Sequence, residues 1–198
     1  MCHRYFIINK PYNMVSQFVS DVKVNLLSDL PFAFPEGTHA VGRLDSDSEG
    51  LLILTTNGRV TRLLFNKETP HIRTYLVKVK GVVSDKTLQY LQTGVPIRIA
   101  PSEMYTAVPE EAVIVSRPEG LFERGNDLPE NAPHTWLRIT LTEGRHRQVR
   151  KMVGALKHRC QRLIRLSIED LELGDMQPGD VKELEEKEFF NLLKLDGN

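Results

Sequence analysis

Gly42-Arg43-Leu44-Asp45-Ser46-Asp47-Ser48-Glu49-Gly50 runs directly into Leu51-Leu52-Ile53-Leu54-Thr55 and then Asn57-Gly58. The apolar run from Leu51 is the pattern of a short strand buried on both faces, and Asn-Gly is a turn signal that closes it. Before it, the acids Asp45, Asp47 and Glu49 alternate with serines between two glycines. Glycine permits a sharp loop and lets a ligand approach the backbone closely. An acid on such a loop, anchored by a buried strand, can be held firmly. Composition alone leaves three readings of it: a solvated acidic turn, a positioned carboxylate, or part of a divalent-cation site built on carboxylate oxygens. No second acidic cluster is there to complete a cation site, and no metal is expected.

Outward from this stretch, strands and helices interleave irregularly. Tyr5-Phe6-Ile7-Ile8 reads as a strand ended by Asn9-Lys10-Pro11, because proline cannot donate to a ladder. Residues 31–39 read as loop, and Val60 to Asn66 as a short helix. Tyr75 to Lys80 alternates apolar and basic residues, apart from Leu76, as a half-buried strand does. Ser84 is placed to cap a helix running through Leu91, with Gly94 as its stop. Val113 to Val115 reads as a strand, residues 117–135 as a long surface loop, and Trp136 to Thr142 as another strand. Glycine then opens a helix in which Val149, Met152, Val153 and Leu156 form one apolar stripe, and Arg162 to Leu173 supplies one or two further strands. The pattern predicts an α+β fold with a mixed or antiparallel sheet.

The chain has 198 residues and 40% hydrophobic content, enough for a core without disulfide or metal support. Its two cysteines, Cys2 and Cys160, form no metal-ligand spacing and fit a reduced, cytoplasmic setting. No apolar run reaches the roughly 20 residues of a membrane helix, and the N-terminus lacks a leader-like stretch. Net charge is zero, but the distribution is uneven. Residues 138–165 hold nine Lys or Arg against one acid, Glu143, whereas residues 169–198 hold ten acids against three Lys. Phosphate contact follows the local field rather than the total, so a nucleic-acid partner stays open. The alternative is that the two segments pair with each other in the fold.

Within the basic segment, Glu143-Gly144-Arg145-His146-Arg147-Gln148-Val149-Arg150-Lys151-Met152 concentrates arginines beside the apolar stripe. Arginine pairs with a carboxylate in a bidentate fork or binds phosphate, and a solvated basic face is the plainer alternative. Arg73-Thr74-Tyr75 opens a strand, where a tyrosine belongs to the core or its rim unless a ligand uses it.

Taken in order, Asn9-Lys10-Pro11, the Gly42-to-Asp45 element with Glu49 to Thr55, Thr74-Tyr75, Glu143-Gly144-Arg145 with Gln148 to Met152, and Leu163-Ile164-Arg165 resemble the pseudouridine synthase superfamily, in the branch typified by the small-ribosomal-subunit synthase A. Within that branch the sequence is similar to the E-type large-subunit enzymes. The Asn-Lys-Pro element lies at residue 9 with no S4-type RNA-binding domain before it, and a Pro-rich insertion precedes Thr135-Trp136-Leu137.

The resemblance implies one catalytic domain over residues 1–198, made of two α+β halves with a mixed, largely antiparallel sheet and a central active-site cleft. It implies isomerisation of a specific uridine to pseudouridine in 23S ribosomal RNA after the target base is flipped out. Asp45 would be the nucleophile and Tyr75 would stack on the base. Arg145 would pair with Asp45, with Arg150 the second choice. Arg43, Lys10, Arg147, Arg150 and Lys151 would contact the substrate or shape its cleft. No cofactor is implied, because the reaction moves a bond within one molecule. The partner would be large-subunit RNA, with no membrane association and a monomeric chain. Small-subunit or transfer RNA, or a non-catalytic RNA-binding protein of the same fold, are the alternatives.

Overall fold

The computed structural model describes residues 3–66, 68–124 and 131–195. The chain forms two compact units, Met1–His71 with Ile164–Asn198, and Ile72–Leu163. In chain order the first unit begins with β1 (Tyr5–Lys10), β2 (His39–Val41), β3 (Glu49–Thr55) and α1 (Arg59–Leu64). The second contains β4 (Arg73–Lys80), α2 (Asp85–Thr93), β5 (Val95–Ala100), β6 (Glu103–Ala107), β7 (Glu111–Val115), β8 (His134–Leu141) and α3 (Gln148–Ala155). β9 (Cys160–Ile168) carries the chain back into the first unit, which ends with β10 (Leu171–Glu172), β11 (Val181–Leu184) and α4 (Glu186–Leu192). The fold is the expected α+β class with a mixed, mostly antiparallel sheet.

In the first unit β1 lies between β11 and β3, antiparallel to both. β2 adds antiparallel to β3, and β9 runs parallel to β3 where Glu49 faces Ile164 and Gly50 faces Arg165. Every residue of β1 and β3 is buried, which is why their sequences run apolar instead of alternating. Phe6, Ile8, Leu52 and Leu54 form a core with Leu27, Leu30 and Leu44, extended by Phe18, Phe32 and Phe34. On α4, Phe189 stacks against Tyr5 with ring centroids 4.6 Å apart. The Tyr5 hydroxyl accepts from Asn57 Nδ2 at 3.0 Å, and Asn57 Oδ1 accepts from Arg59 N at 3.1 Å. The Asn-Gly turn thus ties the end of β3 to the start of α1.

In the second unit β8 is central between β4 and β7, all antiparallel. β5 and β6 form a separate hairpin with an irregularity between Arg98 and Ala100. α3 packs on β5 and α2 on β7, around Val77, Val79, Leu91, Ile97, Ile139 and Met152. Ser84 caps α2 as expected, its hydroxyl accepting from Thr87 N at 3.2 Å, and Gly94 follows the helix at a φ of 110°.

Three expectations change. β4 is buried on both faces rather than half-buried, since Lys78 is 1% exposed and its ammonium lies 5.6 Å from the Trp136 ring centroid. Residues 143–147 are a turn and not the opening of a helix, for α3 begins at Gln148 after Arg147 in the left-handed region at φ 54°. The loop expected over 117–135 already ends at His134, where β8 starts, and its residues 125–130 lie outside the described residues.

Gly50 shows how tightly β3 is held. Its φ is 99°, and a Cβ there would stand 2.4 Å from Arg165 O and 2.8 Å from Arg165 N. Neither atom can move without breaking the strand pairing. Gly50→Ala is therefore expected to destabilise the protein by about 2 kcal/mol or more, from strain and overpacking together. Urea unfolding followed by circular dichroism checks this, and a variant as stable as wild type would mean that β3 and β9 separate readily.

Candidate active site

Asp45 lies in the segment joining β2 to β3, and that segment is fixed from several sides. Leu44, its neighbour, is buried. The Ser16 hydroxyl accepts from Leu44 N at 3.0 Å and donates to Leu44 O at 2.9 Å, so both backbone groups of Leu44 are held by one side chain. Ser48 N donates to Asp45 O at 3.0 Å, closing a tight turn, and Asn13 N donates to Ser46 O at 2.8 Å. Gly42, at φ 74°, faces Phe65, and an added Cβ would come 2.5 Å from that ring. The two glycines of the motif thus serve close packing on either side of the acid. Asp45 itself is half-buried and Arg43 is exposed.

Beneath the loop sits Lys10. It is fully buried, and its ammonium donates to Pro11 O at 2.8 Å and Met14 O at 2.6 Å. Burial lowers its pKa from 10.5 to about 8; the charges of Glu49, Asp47 and Asp45 oppose that shift, while Arg165 adds to it. Glu49 and Arg165 are buried as well, and Arg165 Nε donates to Leu51 O at 2.8 Å. The resemblance has Lys10 contact the substrate or shape its cleft; its position makes it a brace between β1 and the 11–16 loop that grips Leu44 and Ser46.

In the second unit Tyr75 lies on β4, packs in the core and is 8% exposed. The buried Arg73, two residues before it, donates from Nη1 to Thr142 O at 3.3 Å and so supports the turn that follows β8. In that turn Glu143 is a hub. Its Oε2 accepts from Arg145 Nε at 3.1 Å and from the Tyr105 hydroxyl at 3.0 Å, and its Oε1 accepts from Gln148 Nε2 at 2.6 Å. The Arg145 guanidinium lies 3.9 Å from the Tyr105 ring centroid. Within the second unit, Arg145 is thus engaged by Glu143 through Nε and by the Tyr105 ring. Arg147, Arg150 and Lys151 are all half-buried, Arg147 at the turn and the others on α3.

The basic segment is also less available than its charge count suggests. Arg162 is fully buried, donates from Nη2 to Phe122 O at 2.9 Å and lies 4.8 Å from that ring. Arg138 pairs with Glu111 at 3.2 Å, and Arg165 is buried as described. Acids of the tail pair elsewhere: Glu183 with Arg4 at 2.6 Å, and Glu169 with His71 at 3.3 Å and Lys194 at 3.1 Å. Among the described residues no group of three or more His, Cys, Asp or Glu side chains is placed to hold a metal ion. No helix among them is long and apolar enough to cross a membrane.

A family model described as RNA pseudouridylate synthase matches residues 4–155. The chain belongs to that family. It is an isomerase that converts uridine to pseudouridine in RNA. It is 36% identical over 185 residues to the ribosomal large subunit pseudouridine synthase E of Vibrio parahaemolyticus serotype O3:K6, covering 92% of this chain and 74% of that one. It is 34% identical to the protein of the same name in Xanthomonas axonopodis pv. citri, covering 87% of this chain and 89% of the relative. A crystal structure of a pseudouridylate synthase superposes with a TM-score of 0.73 at 24% identity, over 96% of this chain and 74% of that one. The family match takes in both the Asp45 loop and the Glu143–Arg145 turn.

The Lys10 brace has a measurable signature. In the unfolded chain Lys10 keeps its proton up to about pH 10.5, and in the folded protein only up to about pH 8. Between those values the unfolded state binds more protons, so this group makes the protein more stable as pH rises. The contribution is complete above the unfolded value and is lost as pH falls through about 8. Urea unfolding at intervals from pH 7 to 10.5 is expected to show wild type gaining on Lys10→Met across that window. A constant gap would mean that the ammonium is not desolvated.

Proposed function

We propose that this enzyme isomerises a uridine of large-subunit ribosomal RNA, with Asp45 as nucleophile. The observation that carries the reading of Asp45 is its mounting: a half-buried carboxylate on a loop fixed through Leu44, Ser46 and Ser48, inside the region that the family model matches. The relatives named as large-subunit enzymes support the choice of RNA.

In the reaction the C1′–N1 bond breaks, the uracil turns, a C1′–C5 bond forms, C5 loses a proton and N1 gains one. Nothing is oxidised and no group is added. A fixed carboxylate divides this difficult exchange into easier steps by bonding to the sugar or the ring, or by taking the 2′ proton. Chemistry at a base requires it to leave the stack, so the target uridine is flipped out. Tyr75 is assigned to that base as a stacking ring. Arg43, Arg147, Arg150 and Lys151 are assigned to phosphates, which position RNA without reading its sequence. Lys10 acts through the loop it braces, as a positioning residue.

Release of label from C5-labelled large-subunit RNA tests the reading. Wild type is expected to release label and Asp45→Asn to release none, while both bind the RNA with similar affinity. Release by wild type from small-subunit or transfer RNA alone would move the substrate; release by Asp45→Asn would remove Asp45 as nucleophile. Replacing Arg147 and Lys151 by Glu is expected to weaken binding and to flatten the dependence of log K on log salt by about one for each phosphate no longer neutralised. An unchanged slope would take those side chains off the RNA.

A further inference from the structure

Arg145 is long, charged and 41% exposed, yet its backbone N–H, its Nε and its guanidinium each meet a partner. Its backbone N–H donates to Gln148 Oε1 at 2.9 Å, and Gln148 is itself buried. Its Nε donates to Glu143, whose other oxygen is taken by the same Gln148. Its guanidinium lies on the Tyr105 ring at 3.9 Å, and the Tyr105 hydroxyl returns to the same Glu143 oxygen that Nε uses. Arg145, Tyr105, Glu143 and Gln148 close one network, all within the second unit.

An exposed arginine ordinarily keeps its rotamer freedom, and fixing it opposes folding. Surface ion pairs return little of that loss. Here the side chain is ordered by a stack and by a carboxylate that a buried amide holds in place, and much of it stays open to solvent. The product is a rigid, planar cation with one face on an aromatic ring. Unstacked RNA bases are taken up on such guanidinium planes as they are on aromatic rings.

We propose that Arg145, clamped between Tyr105 and Glu143, is a stacking platform for an unpaired nucleobase of the substrate RNA, separate from the target uridine. The proposal rests on the RNA-modifying reading above. It assigns to the β5–β6 hairpin, through Tyr105, a role in holding RNA. The ligand is any base of the RNA that stands out of its stack, and selectivity follows stacking strength rather than hydrogen-bond readout. Tyr105 and Glu143 are positioning residues in this scheme.

The test uses direct binding, so that it reads independently of turnover. In an Asp45→Asn background, the Kd of an eight-nucleotide oligouridine is compared with that of the same ribose-phosphate chain lacking bases. Arg145→Lys keeps the charge and loses the plane. It is expected to cut the preference for the base-bearing strand roughly five-fold or more, the lower range of one base stack, while affinity for the baseless strand stays unchanged. Tyr105→Leu is expected to do the same in part, and Tyr105→Phe, which keeps the ring, to do so least. Thermal melts establish that each variant is folded; should Tyr105→Leu fail to fold, the exposed Arg145→Lys decides. Equal loss on both strands would make Arg145 a phosphate contact and overturn the proposal. No loss on either would make the network structural and overturn it too. Failure of wild type to form pseudouridine in any RNA would strike the parent reading while leaving this comparison legible.

Discussion

Where β3 meets β9, Gly50 touches the backbone of Arg165 with no room for a side chain between them. The start of β3, and with it the end of the loop that carries Asp45, depends on that approach. The chain leaves the first unit at His71 and re-enters it at Ile164. Only after the intervening residues have been made can β9 lie along β3, parallel to it, and bring Arg165 Nε to Leu51 O. The contact is non-local in sequence, and a compact unit stands between its two strands along the chain. The glycine before the apolar run is therefore required by packing as much as by loop geometry. Because β3 starts at Glu49, the end of the acidic loop is fixed by the same contact.

Around that loop the protein buries charges that elsewhere would be left in water. Lys10, Glu49 and Arg165 are each at most 5% exposed. Buried ions add little net stability compared with apolar residues of the same shape, since desolvation consumes most of their attraction. What such a set does supply is direction. An ammonium must point at its acceptors, here two carbonyls of the 11–14 loop, and that loop in turn holds the backbone around Asp45. A mobile carboxylate would have to be ordered at each turnover; a mounted one is ordered in advance. The depressed pKa of Lys10 is the electrostatic cost of this rigidity, visible in one group.

The strands with continuous apolar runs were legible in the sequence because burial on both faces leaves no polar residue to confuse the pattern. The two loops that carry candidate chemistry were legible too, through glycine beside acid and glycine beside base. The hairpin β5–β6 was not. Pro96 argues against a strand, and only an edge position, with its residue exposed, makes it acceptable. β11 and α4 hid in the acidic tail for a similar reason: β11 offers few apolar residues, and its pairing is supplied by β1, far away in sequence. The burial of Lys10 was not legible because a lysine beside a proline reads as surface, and nothing local announces the carbonyls that receive its ammonium.

Much of the charge of the basic segment is taken up within the fold. Residues 138–165 look like one basic surface, yet Arg162 and Arg165 are buried as structural donors, Arg138 answers Glu111, and Arg145 is clamped by Glu143. An arginine with a carbonyl or carboxylate partner still contributes to the field, but it cannot also close on a phosphate with the same nitrogens. The set proposed for RNA is the smaller one at the turn and on α3, Arg147, Arg150 and Lys151. Such a set steers an anionic chain and orients it without holding it tightly everywhere. On the proposed function this suits an enzyme that must release a modified RNA whose charge is the same as that of its substrate. Discrimination between RNAs then comes, on the proposed function, from their shape and unpaired bases, because phosphate contacts carry no sequence information.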